Sequence, residues 1–305
     1  MIGLTGEQVT GVINPPICIG CPRLTGAVDR GCAKAHTDAV ATRISHLLAE
    51  SLPALRYEPT AKRVRASCAG ELVVDTRAAV LVWEPQRIVP IYAVPESAVL
   101  IPLTTSGVAP QPVPAGATML TPDDAFALHT TAGTSLDLEL PGRVLKAAAF
   151  RPADPDLAHL VLLDFAAFDW REEDAEIHTH PRDPFHRVDI LVSSSHVRVE
   201  LEGMVLADST RPLLLFETHL PARYYLPRAD VRFDALVATQ TSSSCPYKGT
   251  ANYWAPGSGG KNVAWSYAHP LPESSAIAAH VAFYNERTDI IVDGQRLPRP
   301  ITPFG

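Results

Sequence analysis

No stretch of the 305-residue chain approaches the roughly 18 consecutive apolar residues that a membrane-spanning helix needs. The longest apolar runs, such as Ala78–Trp83 and Pro212–Phe216, are only as long as a strand. Positive charge is in deficit: 26 Lys and Arg face 33 Asp and Glu, for a formal charge of -7 and a pI near 5.9. A phosphate backbone would find no basic footprint here, so neither nucleic acid nor membrane is an expected partner. The first residues, Met1–Pro16, have no basic region and carry Glu7, unlike a secretory signal; the expectation is a cytoplasmic protein. Cysteine is scarce and odd in number, five in all, and reads as thiols or metal ligands rather than a disulfide framework. Long amphipathic runs are few, which argues against a helical bundle. In their place stand 28 prolines, the punctuation of strands joined by long connections. At roughly 150 residues per domain the length predicts about two domains, and 46% hydrophobic with 19% charged residues is a globular composition.

The chain repeats itself. At a constant offset of 133, the stretch from Val64 to Tyr92 aligns without gaps on Val197 to Tyr225. Val64/Val197, Arg65/Arg198, Gly70/Gly203, Asp75/Asp208, Leu81/Leu214, Glu84/Glu217 and Tyr92/Tyr225 are identical. Seven matches in 29 positions far exceed the roughly one in 17 expected of unrelated sequence. Each copy reads as an antiparallel meander: an alternating strand, a turn glycine, a strand ending in Asp, then an apolar strand. Further on, His129–Gly133 aligns with Cys245–Gly249, and Leu160–Leu163 with Val281–Tyr284.

The expected organisation is an N-terminal extension (1–59), a first repeat (60–178), a bridge (179–189), a second repeat (190–296) and a proline-rich tail (297–305). Helix is expected at Thr37–Glu50, where Val40, Ile44, Leu47 and Leu48 share a face, and briefly at Ser274–His280.

The second repeat resembles the microbial family known as domain of unknown function 427. The matching pieces are Asp208-Ser209-Thr210-Arg211-Pro212, Phe216-Glu217, Tyr224-Tyr225-Leu226-Pro227-Arg228, Cys245-Pro246-Tyr247-Lys248-Gly249, Tyr253-Trp254, Trp265 with Tyr267, Asp289 and Val292-Asp293-Gly294. The first repeat resembles the degenerate partner of a tandem member, through Trp83-Glu84-Pro85, Tyr92-Ala93-Val94-Pro95, Arg151-Pro152 and His180 to His186. The resemblance implies a mainly β fold, two tandem β-tent-like domains of antiparallel sheet, and no known reaction. The nucleotidyltransferase-like label sometimes attached to the family finds no support in these residues. The chain has neither a P-loop nor the Gly-Ser and paired-Asp pattern of metal-dependent nucleotidyl transfer, so no nucleotide cofactor is indicated.

Several residue sets could carry chemistry. Cys245 and Lys248 lie three apart before Gly249; an ammonium beside a thiol favours the thiolate nucleophile, and the plain alternative is a small buried hydrophobe near a surface charge. Glu217 reads either as a general base or ligand anchor or as half of a structural ion pair with Arg198, as Glu84 would be with Arg65. The structural role is favoured, because the glutamate persists in the copy that lacks Cys and Lys. Tyr225, Tyr253, Trp265 and Tyr267 read either as core or as an aromatic pocket beside Cys245, akin to the aromatic cage of some β-tent relatives. Cys18-x2-Cys21-x10-Cys32-x3-His36 has a spacing that suits a tetrahedral zinc, an iron–sulfur centre or free thiols. In the bridge, His178, His180, Asp183 and His186 read as a hydrogen-bonded linker, or as a metal cluster or cleft-reaching residues.

The functional expectation is a protein that binds a small polar or aromatic molecule in its second repeat, with modification through Cys245, Lys248 and Glu217 as the catalytic form. The alternative is a non-catalytic interaction or scaffold protein with a zinc-stabilised extension.

Overall fold

A computed structural model describes residues 41–302. It is mainly β, with four antiparallel sheets. The first eleven strands are β1 (Arg56–Pro59), β2 (Val64–Cys68), β3 (Glu71–Thr76), β4 (Val80–Trp83), β5 (Ile91–Pro95), β6 (Leu103–Thr105), β7 (Gly133–Leu140), β8 (Arg143–Pro152), β9 (Leu160–Leu163), β10 (Asp169–Glu172) and β11 (Ala175–Ile177). The next eleven are β12 (Val188–Val192), β13 (Val197–Leu201), β14 (Met204–Ser209), β15 (Leu213–Glu217), β16 (Arg223–Pro227), β17 (Leu236–Cys245), β18 (Gly249–Pro256), β19 (Ala264–Tyr267), β20 (His280–Phe283), β21 (Asp289–Val292) and β22 (Gln295–Arg296).

The second set repeats the first strand for strand. The large sheets run β1-β4-β5-β9-β8-β7-β6 and β12-β15-β16-β20-β19-β18-β17; the small ones run β11-β10-β2-β3 and β22-β21-β13-β14. The opening hairpin of each repeat turns on Ala69-Gly70 or Glu202-Gly203, with both residues of each pair at positive φ. That is the type I′ geometry whose twist matches the flanking strands, and glycine adopts its second position without strain.

Between the two sheets of the first repeat lies a core that includes Val64, Leu81, Trp83, Tyr92, Val94 and Trp170; its counterpart includes Val197, Leu226, Trp254, Val281 and Phe283. Each fully buried aliphatic of this kind contributes about 1.5–3 kcal/mol. A second cluster covers the outer face of each large sheet, with Val82, Ala93, Phe150 and Leu162 in one and Leu215, Tyr225, Trp265 and Ala282 in the other.

The strand register corrects the sequence alignment in one respect. Leu81 pairs with Tyr92, but Leu214 pairs with Tyr224, so one residue is missing between β15 and β16 relative to β4 and β5. Tyr92 therefore corresponds to Tyr224, and Ala93 to Tyr225. Because side chains alternate along a strand, the slip puts the two aligned tyrosines on opposite faces. Tyr92 points between the sheets, donating to Glu172 at 2.9 Å, while Tyr225 belongs to the outer cluster. Similarly, Leu160–Leu163 corresponds to His280–Phe283, since Ala93 pairs with Leu162 as Tyr225 pairs with Ala282.

The α-helix spans Ile44–Glu50, within the expected segment, and its apolar residues Ile44, Leu47 and Leu48 are exposed. The expected short helix near Ser274 is a 3-10 segment, Pro272–Ile277.

Candidate functional site

The two repeats close their outer faces by different means. In the first, residues 106–132 between β6 and β7 fold back over the sheet. His129 stacks on Phe150 with ring centroids 3.6 Å apart, and Arg87 ties the segment down through the carbonyls of Ala125 and Leu128 at 3.1 and 2.7 Å. In the second, β17 and β18 are joined only by Pro246, Tyr247 and Lys248. The face that residues 106–132 would cover is filled by larger side chains. Tyr225 stands where the first repeat has Ala93, Trp265 where it has Phe150, and Tyr253 where it has Ser135. The concentration of aromatics in the second repeat is thus a packing substitution for a missing loop. Tyr225, Trp265 and Tyr267 are buried, Tyr253 is half-buried, and the Trp265 indole N–H donates to the Tyr225 hydroxyl at 3.1 Å.

Glu84 and Glu217 peg this closure in each repeat. Strands β15 and β18 are four positions apart, about 19 Å in a flat sheet at roughly 4.8 Å per strand. Even so, the Lys248 ammonium, one residue before β18, donates to both oxygens of Glu217. The large sheet must therefore curl to bring the end of β15 to the turn before β18. Glu84 makes the same closure with other donors: the His129 imidazole at 3.0 Å, the Thr131 hydroxyl at 2.7 Å and the Thr130 and Thr131 amides. Neither glutamate holds Arg65 or Arg198; those two pair with Asp174 and Glu200.

Burial alone would raise the Glu217 carboxyl, but the hydrogen bond from His186 and the charge of Lys248 outweigh it and hold the group at about 2. His186 reaches Glu217 from the bridge at 3.1 Å and stacks on Tyr247, ring centroids 4.4 Å apart; the Tyr247 hydroxyl in turn accepts from the Asp183 amide. The bridge is a hydrogen-bonded linker docked on the second repeat. Among the described residues, no group of His, Cys, Asp and Glu is arranged to hold a metal. Cys245 is half-buried at the end of β17, three residues before Lys248. Of the three residues read as catalytic, Lys248 and Glu217 are in contact, with the ammonium committed to the carboxylate. Cys18, Cys21, Cys32 and His36 lie outside the described residues.

An open space in the second repeat lies at the other side of the same sheet. A groove of about 530 Å³ runs along β18 and β19, lined by Arg228, Thr239, Asn252, Trp254, Ser266 and His280, and bordered by Tyr253 and Tyr267. One edge is made by β17, where Thr239, Gln240 and Thr241 bulge opposite Tyr253, a distortion that bends the strand away from its partner. Among the described residues, the side chains of Asn252 and Ser266 have no hydrogen-bond partner. Among the described residues the Arg228 guanidinium makes no ion pair, and it lies 4.0 Å above the Phe233 ring and 5.5 Å from Trp254.

The first repeat is built differently at the matching place. Phe150 and Trp265 occupy matching positions, so Arg151 matches Ser266. Pro95 and Pro227 each end a strand before a 3-10 turn, so Glu96 matches Arg228. Arg151 and Glu96 bridge at 2.6 Å across that place. In the second repeat the carboxylate is replaced by a guanidinium and the guanidinium by a hydroxyl, and the space stays open. Arg228, Asn252, Trp254 and Ser266 escape a reading that searches for nucleophiles. The charge reversal after Pro95 and Pro227 is the signal that could have found them.

No helix among the described residues is long and apolar enough to cross a membrane. No curated protein matches the chain. Residues 189–294 match the model of the family described as Domain of unknown function (DUF427). That match runs from the first strand of the second repeat to the turn after β21, taking in both the groove and the Glu217–Lys248 peg, so it is the second repeat that is similar to the DUF427 family.

Proposed function

We propose that the second repeat binds a small polar or aromatic molecule in the groove between Arg228 and Ser266, and that the first repeat is a degenerate copy of the same domain whose groove is closed. The observation that carries this reading is the exchange of the Glu96–Arg151 bridge for Arg228 and Ser266, which leaves polar groups without partners beside Trp254. A groove of this volume is of the size that holds small ligands, and partnerless polar groups beside an aromatic ring are what fixes a ligand's orientation there.

Binding is favoured over modification through Cys245 and Lys248. An ammonium stabilises a thiolate only if its charge is available to the sulfur, and Lys248 is spent on Glu217. A fragment screen on the isotope-labelled full chain tests the reading. Fragments that bind should shift the amide signals of Asn252 and Ser266 and the Trp254 indole together, while leaving those of Thr134 and Arg151 in the first repeat unmoved. If no fragment moves the groove signals, the reading fails. The zinc reading of Cys18, Cys21, Cys32 and His36 rests on spacing alone, and metal analysis of the freshly purified protein tests it.

A further inference from the structure

Resting on the groove as a binding site, we infer that its ligand carries an oxyanion, a carboxylate or a phosphate ester, held by Arg228. Every unpartnered polar side chain in the groove can donate: the Arg228 guanidinium, the Asn252 carboxamide and the Ser266 hydroxyl. The carboxylate of the same 3-10 turn, Asp230, is engaged elsewhere. Asp230 takes the Ser209 hydroxyl at 2.7 Å and the Arg211 guanidinium at 3.1 Å.

The guanidinium lies over the Phe233 ring, an arrangement that uses its face and leaves its N–H edge for a planar acceptor. Two parallel N–H bonds to one carboxylate or phosphate are the pairing that edge is shaped for. The first repeat supplies an internal precedent. In the matching place Glu96 puts a carboxylate against the Arg151 guanidinium, so this part of the fold accommodates a carboxylate–guanidinium pair. In the second repeat the guanidinium comes from the position of Glu96, and the carboxylate is left for a ligand to bring. The body of that ligand would lie along Trp254, with Asn252 and Ser266 within reach of further oxygens.

Benzoate, phenyl phosphate and benzamide, three probes with one ring and different head groups, decide the matter when titrated into the labelled full chain at low and moderate salt. The expected result is that at least one of the two acids shifts the Asn252 and Ser266 signals with at least tenfold higher affinity than benzamide. Arg228→Gln should reduce that acid to the benzamide level, Arg228→Lys should fall between, and added salt should weaken the acid alone. Whichever acid binds tighter identifies the head group. Equal binding of acid and amide, or acid binding unchanged in Arg228→Gln, would overturn the inference while leaving the groove a binding site. Binding of neutral fragments but of neither acid would overturn it in the same way. If neither the acids nor any fragment of the screen moves those signals, the binding reading itself falls and the inference with it. Arg228 is exposed, so its variants keep the fold, and an unchanged spectrum elsewhere verifies this.

Discussion

Lys248 donates to both carboxylate oxygens of Glu217, and this bond ties β15 to the turn before β18, a strand four positions away in the sheet. Both side chains are nearly inaccessible to solvent. Removing one partner of a buried pair strands the other's charge, at a cost of about 3–5 kcal/mol. Lys248→Met should therefore lower the stability of the second repeat by about that amount, less whatever His186 retains, as read by chemical denaturation. The same variant separates a peg from a thiol activator. An activating lysine would leave Cys245 alkylating more slowly once removed; a peg leaves the rate unchanged or raises it, because the curled face loosens. Alkylation kinetics followed by mass spectrometry tell these apart.

Acid should act in two stages. Burial pushes the His180 imidazole down to about 4, against its own hydrogen bond to the Pro181 carbonyl. A histidine that titrates near 6.5 when unfolded and near 4 when folded favours the unfolded state as pH falls through that interval. The carboxyls of Glu217 and Glu286 follow. Burial would raise both, but Glu217 is held at about 2 by His186 and Lys248, and Glu286 at about 2 by Arg223 and Thr302. Their contribution is fully present above the ordinary carboxyl range near 4.5 and is lost as pH falls toward 2. Denaturation midpoints measured from pH 7 to 2.5 should decline gently at first and steeply below 4.5. His180→Asn should flatten the upper part alone, and Glu217→Gln should reduce the lower part.

On the outer face of the second repeat, Trp265 and Tyr225 make a buried polar contact. With Tyr225→Phe the Trp265 indole N–H loses its acceptor, and an unsatisfied buried donor costs about 1–3 kcal/mol. Denaturation should show a loss of that size, together with a shift of the indole proton resonance. A loss below about 0.5 kcal/mol, under the range for a stranded donor, would mean that water replaces the hydroxyl.

Much of this architecture is legible in the residues themselves. The alternation of Val64 to Cys68 and Val197 to Leu201, the glycines at Gly70 and Gly203, and the glutamates Glu84 and Glu217 encode the same meander twice. Its shortened second copy is harder to see. A single residue missing from a turn leaves hydrophobic periodicity intact on either side, and Tyr92 and Tyr225 then align by identity while facing opposite ways. The partners of Glu84 and Glu217 are hidden for a different reason. They arrive from the far edge of a curled sheet, and no local pattern records which strands a curl brings together. The groove is hidden likewise, since Glu96 and Arg151 are neighbours only because β5, β9 and β8 lie side by side.

Rebuilding the first repeat's bridge in the second is the sharpest test of what the groove is for. Arg228→Glu with Ser266→Arg places a carboxylate and a guanidinium where Glu96 and Arg151 stand. The bridge between Glu96 and Arg151 is partly exposed, and such a pair is worth about 0.2–1 kcal/mol. The exchange also removes the stacking of Arg228 on Phe233, worth about 0.5–1 kcal/mol at an exposed site. These terms offset one another, so the double variant should unfold within about 1 kcal/mol of the parent. Its effect on binding should be far larger, because the new side chains fill the groove and the guanidinium now has an internal partner. Fragments that move Asn252 and Trp254 in the parent should lose at least tenfold in affinity, and oxyanions should lose the most. Arg228→Glu alone should repel oxyanions while leaving the groove open to neutral fragments, and Ser266→Arg alone should crowd out both. A double variant that binds like the parent would mean that the space between these two positions is not where ligands sit, whatever the fold does elsewhere.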